Sequence, residues 1–152
     1  MDIVLDVSVA VKWFNTVNED NVETALHIQQ LKIMNSLEIM VPDLFFLEII
    51  NAFVSKSRFG LKDVCLIEET LYKMNLKIIF PDHLILKNSI EIAGKSSLTI
   101  YDSLYISVAQ VFEAILLTAD KKILAVKNQY SFIKSLEEFK NQNPGFFWAK
   151  NN

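Results

Sequence analysis

Cysteine occurs once, at Cys65, in the 152 residues of this chain. No disulfide can close within it, and a zinc site of four thiolates is excluded. His27 and His83 are the two histidines, and they lie too far apart in sequence to suggest a ligand pair. A reducing, cytoplasmic setting is expected. Glycine and proline occur three times each, so few turns depend on left-handed backbone, and long helices with short loops are favoured. Arginine occurs only at Arg58. The 15 basic residues are outnumbered by 18 acidic ones, a net charge of −3. That argues against binding nucleic acid through bulk positive charge, but leaves room for an enzyme that meets nucleic acid through a metal ion. No apolar run reaches the ~18 residues of a membrane span. Asp2 sits where a signal peptide would carry Lys or Arg, so neither a membrane anchor nor a leader is expected.

What is present is a hydrophobic fraction of 51%, enough for one domain with a sizeable core. Short apolar segments alternate with helical ones. Ile3–Leu5, Glu38–Val41, Lys77–Phe80 and Ile115–Leu117 read as strands, apolar at their centres as strands covered on both faces must be. Helices are predicted over Glu19–Asn35, from Pro42-Asp43 to Phe59 with Gly60 ending it, from an Asp63 N-cap to Met74, from Pro81-Asp82 to Gly94, over Tyr101–Glu113 and over Asp120–Lys127. Strands alternating with helices imply right-handed crossovers and a mainly parallel sheet of four to five short strands between helical layers. The expected organisation is one α/β domain over residues 1–140. A tail over 141–152, with three successive aromatics, would pack on that domain or on a dimer mate.

Most of the acidic residues have polar neighbours, and Asp43, Asp63 and Asp82 sit at helix starts, where an anion meets free N–H groups. Four others stand in apolar surroundings. Asp6 directly follows the first strand. Glu48 lies inside LFFLEIINAFV (Leu44–Val54), where the only other polar residue is Asn51, three positions on and on the same helix face. Asp102 is the one charged residue from Ser96 to Phe112, and Asp120 follows the strand of AILLTAD (Ala114–Asp120). Asp6, Asp102 and Asp120 each have an alternative reading as a helix cap. Glu48 resists it, because it sits well inside its helix. No lysine or arginine neighbours it in sequence. An unpaired buried carboxylate is costly. The economical arrangement gathers all four around a shared divalent cation, whose remaining positions go to water and substrate phosphate. Hard oxygen ligands suit Mg²⁺ or Mn²⁺.

These segments resemble the PIN-domain ribonucleases, and specifically VapC-type toxins, from about Met1 to Phe139. VLDVSVAVKWF resembles that family's first motif, VPDLFFLEIINAF its second, LTIYDSLYISVA its third and LLTADKKIL its fourth, in family order. The resemblance implies a three-layer α/β/α PIN-like fold with Asp6, Glu48, Asp102 and Asp120 as the acidic quartet. It implies Asp6 and Asp102 as direct metal ligands, Glu48 and Asp120 acting through water or on a second ion, and supporting hydroxyls from Ser8 and Thr118. Asn51 accompanies Glu48. Val7 stands where the family more often has Ala or Thr.

The activity so implied is metal-dependent endonucleolytic cleavage of RNA with one or two Mg²⁺ or Mn²⁺ ions, as the toxin of a type II toxin–antitoxin pair. A homodimer and a small antitoxin are the implied protein partners. Lys12, Lys121 and Lys122 flank the motifs and are candidates for the RNA backbone, or else solvated rim lysines. Trp13 and Phe14 are read as core. Other readings remain. A non-catalytic RNA-binding or interaction module fits the same fold. A receiver-like phosphorylation domain would want an acidic pair after the first strand, and a haloacid-type phosphatase Asp-x-Asp; Asp6-Val7-Ser8 supplies neither.

Overall fold

The computed structural model describes residues 1–56 and 58–147. Five strands, β1 (Asp2–Leu5), β2 (Glu38–Pro42), β3 (Lys77–Ile79), β4 (Ile115–Leu117) and β5 (Ile133–Lys134), form one sheet in the order β3-β2-β1-β4-β5. Every neighbouring pair is parallel. The helices among the described residues are α1 (Val7–Ala10), α2 (Val22–Ile33), α3 (Phe45–Val54), α4 (Leu61–Lys73), α5 (His83–Lys95), α6 (Ile100–Val111), α7 (Lys121–Leu124), α8 (Leu136–Gln142) and α9 (Pro144–Phe147). A 3-10 turn, Val11–Trp13, continues α1.

The central strands are buried because helices cover both faces. Ile3, Val4, Leu5, Ile39, Val41, Leu116 and Leu117 are fully buried, each stabilising the fold by ~1.5–3 kcal/mol relative to exposure. α6 crosses β1, β2 and β4, and α5 packs on α6, so the stretch Ser103–Ala109 is buried throughout. This is the expected three-layer α/β/α arrangement, with the sheet wholly rather than mainly parallel. Trp13 is core, its Nε1 donating to the Ala25 carbonyl at 2.8 Å.

Local punctuation departs from the sequence reading in informative places. Gly60 starts a helix as well as following one. It is the N-cap of α4, and Asp63 is the third residue of that helix, its carboxylate accepting the Gly60 N–H at 2.8 Å. α3 begins at Phe45 because Pro42 belongs to β2, where Asp43 N–H reaches the Ile79 carbonyl at 3.1 Å. Asp82 caps α5 as expected, accepting from Ile85 N at 2.9 Å. β5, α8 and α9 were not foreseen, and α8 spans the 140/141 boundary drawn from sequence. The tail folds back on its own domain as far as Phe147. His27 Nε2 donates to the Phe146 carbonyl, and the Phe147 ring lies 4.8 Å from that of His27 and 6.1 Å from that of Phe139. Trp148 to Asn152, the remainder of the expected tail, lies outside the described residues.

Candidate active site

In a parallel sheet, sites form beyond the carboxyl ends of the strands, where the strand order reverses. Here the order reverses beside β1, which has β2 on one side and β4 on the other. The β1–β4 register pairs Leu5 with Leu117, so the residues that follow, Asp6 and Thr118, come out side by side. The Asp6 N–H donates to the Leu117 carbonyl at 3.0 Å and locks this alignment.

Asp6 is buried, 7% exposed. It occupies the N-cap position of α1 but makes no side-chain cap bond. Its carboxylate Oδ2 instead accepts from two hydroxyls, Ser8 Oγ and Thr118 Oγ1, the latter at 2.8 Å. Neither hydroxyl is free to turn away, since Ala119 N–H donates to Ser8 Oγ at 2.8 Å and Asp120 N–H to Thr118 Oγ1 at 2.9 Å. The backbone thus sets the proton direction of both hydroxyls, and both point at Asp6. Burial pushes the Asp6 carboxyl above the usual carboxylate range, the two hydroxyls oppose that rise, and repulsion from Asp120 adds to it.

The other three acids stand around this centre. Glu48, half-buried on α3, accepts from the Tyr105 hydroxyl at 2.6 Å. Burial raises its pKa first, and the charges of Asp6 and Asp102 raise it further. Asp102 sits in the first turn of α6, its Oδ2 accepting from Thr99 Oγ1 at 2.8 Å and from Thr99 N–H at 3.3 Å, while its own N–H donates back to Thr99 Oγ1 at 3.1 Å. Asp120 caps α7, accepting from Lys122 N–H at 2.7 Å. The cap reading is therefore correct for Asp120; for Asp102 the cap is Thr99, with Asp102 as the third helical residue of the capping box, and Asp6 makes no side-chain cap bond. A cap does not exclude a second role, because a carboxylate has acceptor sites to spare.

Repulsion links the quartet in a chain, Asp120 to Asp6, Asp6 to Glu48, and Glu48 to Asp102. Among the described residues, no three carboxylate, imidazole or thiol side chains stand close enough to ligate one ion as they lie. Each acid holds a local donor instead: Ser8 and Thr118, Tyr105, Thr99, or the α7 backbone. Among the described residues, none of the ion pairs seen joins a lysine or arginine to these four acids. The ion pairs seen among the described residues join Lys12 to Glu19, Lys32 to Glu38, Lys73 to Glu69, Lys95 to Glu91 and Lys127 to Glu138. A set of carboxylates and hydroxyls without an internal counter-charge fits a hard divalent cation.

The remaining candidates separate. Ser8 and Thr118 are central. Asn51 is exposed on α3, with no side-chain hydrogen bond to the acids. Lys121 and Lys122 are exposed beside Asp120. Lys12, expected at the rim with them, is instead buried and held by Glu19 at 2.5 Å. It follows Val11 in a 3-10 turn packed against α2, which carries it inward. Tyr105 was not singled out from sequence. Its position three residues after Asp102, on the α6 face that carries Asp102, is the signal that would have found it.

The PIN-domain family model matches residues 3–129. The chain belongs to the PIN-domain family. No curated protein matches it. Among solved structures, this PIN domain is similar to PAE2754 from Pyrobaculum aerophilum, with 21% identity, a TM-score of 0.66, and coverage of 95% of this chain and 99% of that one. It is also similar to a toxin–antitoxin complex from Klebsiella pneumoniae, at 13% identity and a TM-score of 0.62, covering 88% and 97%. A third is VapC20 of Mycobacterium tuberculosis, described as a sarcin–ricin loop cleaving toxin, at 12% identity and a TM-score of 0.62, covering 82% and 94%. The resemblance to VapC-type PIN proteins read from the four motifs therefore holds, and these likenesses carry the fold.

Proposed function

We propose that this PIN domain is a metal-dependent endoribonuclease, the toxin of a type II toxin–antitoxin pair. The observation that carries the reading is the buried Asp6 at the β1/β4 reversal, held by the hydroxyls of Ser8 and Thr118, with Asp120 and Glu48 repelled by it and Asp102 repelled by Glu48 in turn. Asp6 and Asp102 would hold Mg²⁺ or Mn²⁺, with Glu48 and Asp120 completing the site through water or around a second ion. The bound metal would supply Lewis-acid polarisation of the scissile phosphate and a more acidic water. Ser8 and Thr118 keep Asp6 oriented. Glu48, anchored by Tyr105, is placed to orient the attacking water or accept its proton. Lys121 and Lys122 are free to contact the RNA backbone. The uncompensated acids repel phosphate until the cation arrives, which reconciles a net charge of −3 with an anionic substrate.

The toxin assignment draws support from the structural neighbours, whose descriptions name toxin–antitoxin complexes. Leu47 and Val54 of α3 and Leu61 and Leu66 of α4 are exposed on two helices that pack together, apolar surface of the sort a protein partner covers. A small antitoxin and a second copy of the chain are the partners this reading assigns, in the cytoplasm. The non-catalytic alternative lacks an observation in its favour. Incubating the purified chain with RNA, in Mn²⁺ or Mg²⁺ and in a chelator, decides between them. Internal cleavage that requires the metal and disappears in Asp102→Asn is expected. Equal cleavage with the chelator, or in that variant, overturns the proposal.

A further inference from the structure

Beside the acids lies a cavity of about 200 Å³, well above the ~30 Å³ one water occupies in the liquid and roomy enough for a planar base. Thr118, whose hydroxyl donates to Asp6, forms part of its wall, so the cavity adjoins the catalytic carboxylate. Lys121, next in the chain after Asp120, also lines it. Asp20 and Asn21, from the turn before α2, and Ser135, just after β5, complete the polar lining with Lys12.

Lys12 is committed to Glu19. Thr118 and Ser135 are likewise engaged, with Asp6 and Glu138, whereas Asp20, Asn21 and Lys121 are not. Asn21 is the N-cap residue of α2, where a side-chain oxygen ordinarily accepts an N–H of the first turn. It makes no such bond, and its backbone is left-handed at φ 55°. Asp20 is exposed and has no hydrogen-bond or ion-pair partner among the described residues. Ser135 is spent on the capping box of α8, its hydroxyl accepting from Glu138 N–H at 3.1 Å and hydrogen-bonding the Glu138 carboxylate. Lys121 is exposed and forms no ion pair among the described residues. The cavity therefore presents an acceptor-only carboxylate from Asp20, a carboxamide from Asn21 that both donates and accepts, and a donor from Lys121.

An ionised carboxylate is best matched by two adjacent N–H groups. On the Watson–Crick edges of the RNA bases, only guanine offers that pair, N1–H and N2–H, with O6 as the neighbouring acceptor. Adenine, cytosine and uracil offer a single donor there. Bases in single-stranded RNA are splayed out and read on these edges. We propose that the cavity is a specificity pocket for a guanine base adjoining the scissile phosphate. Asp20 accepts from N1–H and N2–H, and Asn21 and Lys121 supply the donors for O6 and N7. This inference rests on the nuclease reading for its biological sense, but binding can be measured without it.

Titration calorimetry of the full chain with guanosine, adenosine, cytidine and uridine, in chelator, isolates the pocket from metal and phosphate. Guanosine should bind more tightly than the others by roughly 5- to 150-fold, the range that one good bidentate pair supplies. Asp20→Asn should remove that preference while the melting curve stays unchanged. Equal binding of all four nucleosides, or guanosine preference that survives in Asp20→Asn, overturns the pocket. End-mapping of cleavage products gives the second arm: the wild-type chain should cut beside guanine, and the cuts made by Asp20→Asn should lose that sequence choice. Metal-dependent cutting without a shared neighbouring base sinks the pocket and leaves the nuclease. No cutting under any metal sinks the nuclease, and the nucleoside titration still decides the pocket.

Discussion

The two ends of the sheet bury charge in opposite ways. At the amino end, Lys32 is 5% exposed, and Glu38, the first residue of β2, meets it at 3.0 Å. The cation is answered from within the chain. At the carboxyl end, Asp6 is equally buried, yet its partners are two hydroxyls, and its nearest charges are other carboxylates. A charge that serves the fold is paired by the fold, because an uncompensated buried ion is expensive. Asp6, left to hydroxyls, is where the proposed reading has the compensating charge come from outside.

That contrast can be broken from either end. The largest effect is expected at Asp6 itself. Asp6→Asn keeps an acceptor for Ser8 and Thr118 but removes the ligand's negative charge, and RNA cleavage should fall by more than the ~100-fold that marks the upper end for a supporting group. Thr118→Val removes one hydroxyl and strands the Asp120 N–H. Cleavage should drop by roughly 10- to 100-fold, measured in single turnover.

Stability should respond with opposite signs at the two ends. Saturating Mg²⁺ or Mn²⁺, at 100 times its dissociation constant, should stabilise the wild-type chain by ~2.7 kcal/mol, a melting-temperature rise of roughly 5–11 °C. Asp6→Asn should lose most of it, and coincident wild-type curves with and without metal would count decisively against a cation site. Without metal the order reverses. Burial raises the Asp6 and Glu48 carboxyls above their unfolded values, so their favourable contribution exists at acid pH and is lost as pH rises through the raised folded values. Asp6→Asn should therefore melt higher than wild type near neutrality in chelator, and the gap should close as pH falls below the ordinary carboxylate range. At the amino end, Glu38→Gln leaves Lys32 without its partner. With Glu38 itself 43% exposed, the cost is about 1–2 kcal/mol, a fall of roughly 2–8 °C with cleavage untouched.

The chemistry at the carboxyl end was legible because it stood out against its surroundings. Asp6, Glu48, Asp102 and Asp120 interrupt otherwise apolar segments, and nothing in the sequence around Glu48 could neutralise it. The four longer strands and helices α2, α5 and α6 were legible through periodicity and through Asp82. What failed was short or tertiary. β5 has two residues, and only pairing with Leu116 and Leu117 makes it a strand. α8 did carry a local sign, Ser135-x-x-Glu138, and the first turn of α6 carried Thr99-x-x-Asp102; both are capping boxes in the structure. The burial of Lys12 had no local sign, since Glu19 reaches it only once the chain has turned.

The Asp6–Thr118 hydrogen bond spans 112 positions of sequence. Asp6 is therefore synthesised long before Thr118 and Asp120, and its carboxylate lacks both the Thr118 hydroxyl and the Asp120 neighbour until β4 and the residues after it have been made. If the proposed nuclease reading holds, a fragment ending before Thr118 is expected to lack activity, because half of the arrangement around Asp6 is missing from it.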